Sequence, residues 1–168
     1  MLSHFLISLA TTFGYVGIFL ASLIGSATIF LPVPSFIIVF SAGALLNPIA
    51  VGIIAGLGSA IGELTGYGIG YGIHYSSTST IKKEWKGLFE KSKHWFETHG
   101  GFLIIFLFAA TPLPDDIIGI IAGMMHYDIK RYFIATLLGK IILLTAIANA
   151  GAYGSNFFDI FQLPGISF

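Results

Sequence analysis

The sequence predicts an all-α integral membrane protein. Its expected architecture is an inverted repeat of a re-entrant helical hairpin plus a transmembrane helix, with an amphipathic interfacial helix between the copies. Three observations predict it. Mean hydropathy is +0.89, and 10% of residues are charged against 55% hydrophobic, far below the ~25% charge of a soluble domain. A Pro-x-Pro pair interrupts an apolar run twice, at Pro32–Pro34 and Pro112–Pro114, 80 positions apart. Four ionisable residues, Glu63, Asp115, Asp116 and Lys140, stand inside apolar stretches.

At ~20 apolar residues per crossing, a chain of 168 residues holds at most about four or five spans, so residues 1–168 are read as a single membrane domain. The formal net charge is zero, which gives no reason to expect a nucleic-acid partner. Cysteine is absent, which excludes disulfides, thiol catalysis and cysteine metal sites. The histidines are scattered, and the closest pair, His94 and His99, does not share a helical face. No metal and no cofactor are expected. The opening stretch MLSHFLISLATTFGYVG lacks a basic segment and a clear cleavage site, unlike a removable signal peptide.

The first repeat covers about residues 3–75. A glycine-marked break at Gly14 and Gly17 precedes an apolar run into Pro32-Val-Pro34, and Ala42-Gly43 follows. A turn at Asn47-Pro48 then leads into a glycine-rich apolar segment, roughly Ile49–Ile73, expected to span the bilayer. Proline removes a backbone donor and clashes with the preceding helical turn, so a pair of them is expected to break the helix. Each arm is then about ten residues, or ~15 Å, about half of a ~30 Å hydrocarbon core. A hairpin with its tip at mid-depth fits that length, and Pro32, Pro34, Pro112 and Pro114 mark the two tips. The competing geometry, a full span kinked at proline, leaves the polar residues directly after the prolines unexplained.

Residues 76–101 form the linker. Lys82, Lys83, Lys86, Lys91 and Lys93 stand there against Glu84, Glu90 and Glu97. Ile81, Trp85, Leu88, Phe89, Trp95 and Phe96 recur at helical steps, the pattern of a helix lying in the interface. The lysines place it on the cytoplasmic side. The second repeat, about residues 102–153, runs from Gly100-Gly101 through Pro112-Leu-Pro114 and Ala122-Gly123 to a turn at His126-Tyr127-Asp128. It ends in a second span, roughly Ile129–Tyr153, and a short tail follows over 154–168. One crossing per copy turns the second copy upside down relative to the first, which is transporter architecture. Both termini then lie outside, unless the first apolar segment is itself a span.

Charges at membrane depth are costly and are functional candidates by default. Ser35 and Asp115 each follow a Pro-x-Pro, where a helix N-cap is expected. Helix N-termini meeting at mid-depth would present free N–H groups to an anionic headgroup. Asp116 is not needed for a cap and is the stronger candidate for a functional carboxyl. Subtracting 80 places Lys140 opposite Ala60, about one turn from Glu63, so the two are expected to approach each other. Three negatives against one positive in a medium of low dielectric would leave one carboxyl, Asp116 or Glu63, carrying a proton. The glycines over Gly52–Gly72 include small-xxx-small spacings that permit close helix contact, within the fold or between copies of the chain. Gly66-Tyr-Gly68-Ile-Gly70 has no preceding strand and is not read as a nucleotide loop.

Phe13-Gly-Tyr-Val-Gly17, Pro32-Val-Pro-Ser35, Ala42-Gly43 and Gly62-Glu63-x-x-Gly-Tyr67 resemble the first half of a DedA/VTT protein, of the SNARE-associated Golgi protein superfamily. Thr111-Pro-Leu-Pro-Asp-Asp116, Ala122-Gly123 and Gly139-Lys140 resemble the second half, in particular a short archaeal or YqaA-like branch. The resemblance covers about residues 13–153. It implies two opposed re-entrant hairpins and movement of lipids between leaflets: polyprenyl-phosphate recycling in bacteria, phospholipid scrambling in eukaryotic relatives. This chain has Phe36 where the bacterial proteins carry a glutamate, and Ala109 and Asp115 where they carry arginines linked to proton coupling and phosphate handling.

The leading expectation is a lipid flippase or scramblase in the plasma membrane of a prokaryote. Ser35, Glu63, Asp115, Asp116 and Lys140 would line its path. Membrane lipids, polyprenyl phosphate among them, and protons are the expected partners, with a homo-oligomer as a further association. Two other readings stand beside it: a proton- or cation-coupled small-solute transporter, and a membrane-assembly protein whose buried charges only lock helices together. No nucleophile arrangement or metal cluster suggests an enzyme.

Overall fold

The computed structural model describes residues 14–28, 33–76, 96 and 100–161. Among these, six helices and no strand occur: α1 Tyr15–Ala27, α2 Val33–Leu45, α3 Pro48–Ser76, α4 Gly101–Ala109, α5 Asp115–Met124 and α6 Ile129–Phe161. The order is short, short, long, repeated twice. Pro32, the segment before Gly14, and most of the linker helix and the tail fall outside the described residues.

Local chemistry sets the boundaries. Gly14 and Gly100 precede α1 and α4 with φ of 54° and 72°, a backbone region that glycine enters without strain. Pro48 opens α3 at a position where its missing N–H costs nothing. The Asn47 side-chain oxygen accepts from the N–H groups of Ile49 and Ala50, both at 3.1 Å. Asp128 caps α6 in the same way, accepting from the Arg131 N–H at 2.8 Å. At the end of α5, His126 takes φ 54°, and the Tyr127 N–H donates to the Ala122 carbonyl, a Schellman-type stop.

The prolines break the two apolar runs differently. In the second, α4 ends at Ala109 and α5 starts at Asp115, leaving both prolines in the turn. In the first, α2 starts at Val33, so Pro34 sits in its first turn, where proline is tolerated. Ser35 is therefore the third residue of α2 and not its cap. Helix α4 has 9 residues and α5 has 10, each too short to cross ~30 Å of hydrocarbon at ~1.5 Å per residue. By contrast, Pro48–Gly72 and Ile129–Gly154, of 25 and 26 residues, are long and apolar enough to cross. Helix α6 continues to Phe161, so the second long helix does not end at Tyr153 and the first part of the expected tail is helical.

Helices α3 and α6 pack antiparallel at the centre, Gly52 against Thr145 and Gly56 against Ile141. Each middle helix crosses to the other half's long helix. Gly43 of α2 lies on the Ala148 backbone of α6, and Gly123 of α5 lies on the Tyr67 backbone of α3. Likewise Gly151 meets Phe40 while Gly70 meets Ile120. Shifting the α2 positions by 80 and the α3 positions by 81 turns the first contact of each pair into the second. Two apolar clusters occupy the two ends of the α3–α6 pair. Ile18, Val39, Val51, Ala55, Leu144 and Ala148 form one, while Tyr67, Ile105, Ile121, Ala122, Tyr132 and Ala135 belong to the other. Phe96, the one described residue of the linker interior, joins the second cluster edge-on to Tyr127, with ring centroids 5.7 Å apart.

The outer faces are apolar as well. Ile49, Ile53, Leu57 and Ile61 on α3 are exposed at four-residue steps, as are Ile134, Leu138 and Ile142 on α6. Such continuous apolar stripes on long helices suit hydrocarbon, not water.

Candidate functional site

Between the two apolar clusters lies a belt of charge. Glu63 is the sixteenth residue of the Pro48–Gly72 stretch and Lys140 the twelfth of Ile129–Gly154, so both stand near the middle of their helices. Lys140 Nζ lies 2.6 Å from Glu63 Oε1 and 2.6 Å from Asp115 Oδ2. Glu63 and Lys140 are 3% and 7% exposed. One ammonium therefore joins α3, α5 and α6, and it reaches α5 at the break that the second Pro-x-Pro creates.

Asp115 is not an N-cap. Pro114 holds the cap position without a side-chain hydrogen bond, and Asp115 is the first helical residue. Its carboxylate is drawn to Lys140, because an ammonium buried beside a single carboxylate is poorly compensated for its lost hydration. The Lys140 register also differs from the uniform offset. The shift of 81 that relates the long helices aligns Lys140 with Ser59 and not Ala60.

A cavity of about 270 Å³ opens beside this belt. Asp116, Glu63, Lys140, Ser59, Ser26 and Phe36 contribute to its wall, together with Pro112, Pro114 and Asp115 of the break. Asp116 is partly exposed and forms no ion pair among the described residues. Of the residues singled out from sequence, the structure thus brings together Glu63, Asp115, Asp116 and Lys140, with Pro112 and Pro114 beside them. The Ser35 side chain lies outside what is described. Sequence reasoning missed Ser59 and Ser26. Ser59 is the internal counterpart of Lys140 only at the 81-residue shift that the helix contacts reveal, and a serine in a glycine-rich helix gave no signal of its own. Phe36, noted only as a departure from the bacterial pattern, is the counterpart of Asp116 at the 80-residue shift, and both line the cavity.

The belt has a definite charge balance. Fully ionised, Glu63, Asp115, Asp116 and Lys140 carry three negatives and one positive. The sole positive charge is already engaged on two sides. Among the described residues, the cavity wall holds an excess of carboxylates and no cation left uncommitted for an anion.

These features define a helical membrane protein with a buried ionic belt beside an internal cavity. The VTT domain model matches residues 33–153, and the chain belongs to that family, the DedA/VTT family. No curated protein and no solved structure matches the chain.

Proposed function

We propose that this protein carries lipids between the leaflets of a prokaryotic plasma membrane, passing headgroups through the cavity beside the Lys140 belt, and that it performs no chemistry on them. The observation that carries this reading is the cavity at the α4–α5 break, which holds Asp116 near the middle of two membrane-length helices. An inverted repeat of re-entrant hairpins accounts for the crossed packing of α2 on α6 and α5 on α3. In that arrangement, the two hairpins enter from opposite faces and broken backbone at depth is enclosed by protein.

The charge balance bears on the cargo. A bare lipid phosphate would meet carboxylates and a lysine that is already paired. A headgroup bearing an ammonium has Asp116 to meet, so an amine-bearing phospholipid fits the cavity better than polyprenyl phosphate does.

The test is leaflet exchange in liposomes that hold the purified protein. Tail-labelled phosphatidylethanolamine is followed with a membrane-impermeant quencher. Wild type is expected to let quenching pass well beyond half of the probe, and Asp116→Asn to slow the exchange about tenfold, or ~1.4 kcal/mol of barrier. Quenching arrested near half in both proteins rejects lipid exchange. The acidic excess favours one second reading, a proton- or cation-coupled solute carrier, which would move protons down an imposed gradient while the lipid probe stays in place.

A further inference from the structure

A second concavity lies outside the ionic belt, where α6 begins against α3. It is an open groove of about 450 Å³ lined by Ile61, Leu64, Ile129, Lys130, Phe133 and Ile134, and its exposed lining is apolar, Lys130 contributing its methylene stem. Lys130 is the second residue of α6 and is exposed, while Ile61 stands eleven residues before Gly72 on α3. Along α3 that distance is about 16 Å at 1.5 Å per residue, close to half of a ~30 Å hydrocarbon core. Ile61, the inner end of the crevice, thus lies near mid-depth, and the lining runs from there over Leu64 on α3 and Ile134 back to Lys130 on α6.

Asp128 accepts the Arg131 backbone N–H with one carboxylate oxygen. Lys130 forms no ion pair among the described residues. Lysine stems lie along apolar surface while the ammonium seeks the polar boundary. A lysine at that boundary attracts anionic headgroups.

We infer that the crevice between α3 and the start of α6 is a binding site for one anionic phospholipid of the surrounding bilayer. One acyl chain lies on Ile61, Leu64, Phe133 and Ile134, and the phosphate is held by Lys130. The site is separate from the cavity of the proposed lipid path, so its test needs no transport. The purified full-length chain is equilibrated in neutral detergent with equal amounts of phosphatidylglycerol and phosphatidylcholine. It is then passed through a sizing column, and the retained lipid is identified by mass spectrometry. Retention of phosphatidylglycerol over phosphatidylcholine by about fivefold is expected, the equivalent of the ~1 kcal/mol that a basic residue contributes at a lipid surface. Lys130→Glu should bring the ratio to about one without changing the melting temperature. Ile134→Trp, which fills the crevice, should remove the retained phosphatidylglycerol even with Lys130 intact. Equal retention of the two lipids by the wild type overturns the inference, as does enrichment that survives either substitution.

Discussion

Lys140 is held between Glu63 and Asp115 at 2.6 Å on each side, and removing it would leave two carboxylates facing each other in a buried site. Loss of one partner from a buried ion pair costs about 3–5 kcal/mol. Lys140→Met is therefore expected to lower the melting temperature in detergent sharply. Adding Glu63→Gln to that variant should recover a large part of the loss, because one uncompensated charge goes with it. A double variant no more stable than Lys140→Met would show that the helices are held here by packing alone. The four ionisable residues were legible in the sequence because charge inside apolar runs has few innocent explanations. Their partners were less so. Asp115 reads as a cap by type and position, and only the three-dimensional approach of α6 shows that an ammonium outcompetes the backbone amides for it. Asp116, next in the chain, is left to the cavity wall.

At the scale of elements, the repeated Pro-x-Pro and Ala-Gly pattern already announced short helices in pairs, and the lengths of α4 and α5 agree with arms of about ten residues. The glycines were legible as contact positions, but not which helix each one would meet. Gly43 sits where an added methyl would collide with the Ala148 carbonyl, whereas Gly68 has open space around its Cα. Gly43→Ala should destabilise the protein by about 1–3 kcal/mol, the usual cost of overpacking a close contact. Gly68→Ala should be neutral or stabilising by up to about 1 kcal/mol, through helix propensity alone. Thermal melts of both variants check the contrast, and similar melting for the two would contradict the close crossing of α2 on α6. The stretch of α6 apolar enough to cross ends at Gly154, one residue past the expected span, while the helix itself runs on to Phe161.

For the whole molecule, the long helices run antiparallel, so the turn before α3 and the start of α6 belong on opposite faces of the bilayer. The absence of cysteine makes this simple to check with single substitutions. In sealed vesicles, Leu46→Cys and Arg131→Cys should react with an impermeant maleimide from opposite sides, and labelling of both from one side would rule out a single crossing by α3. The basic residues point the same way: every lysine and arginine except Lys140 lies between Lys82 and Arg131. The end of α3 and the start of α6 share one face through the antiparallel packing, and the positive-inside rule makes that face the expected cytoplasmic one. Composition and repetition made the membrane class and the pairing of short helices visible from the sequence. The exchange of middle helices between halves was hidden, because it depends on contacts between residues far apart in the chain, such as Gly43 with Ala148 and Gly123 with Tyr67.

That exchange has a consequence for how the chain is made. The surface of α2 that carries Gly43 is completed by Ala148, which is synthesised 105 residues later. At roughly 5–20 residues per second, α2 waits on the order of 5–20 s in the bilayer before its partner leaves the ribosome. Until then the first half is held by its own contacts, among them α1 on α3, closed by Gly58 against Phe19 and Gly62 against Leu23, and Val39 of α2 beside Ile18 and Val51.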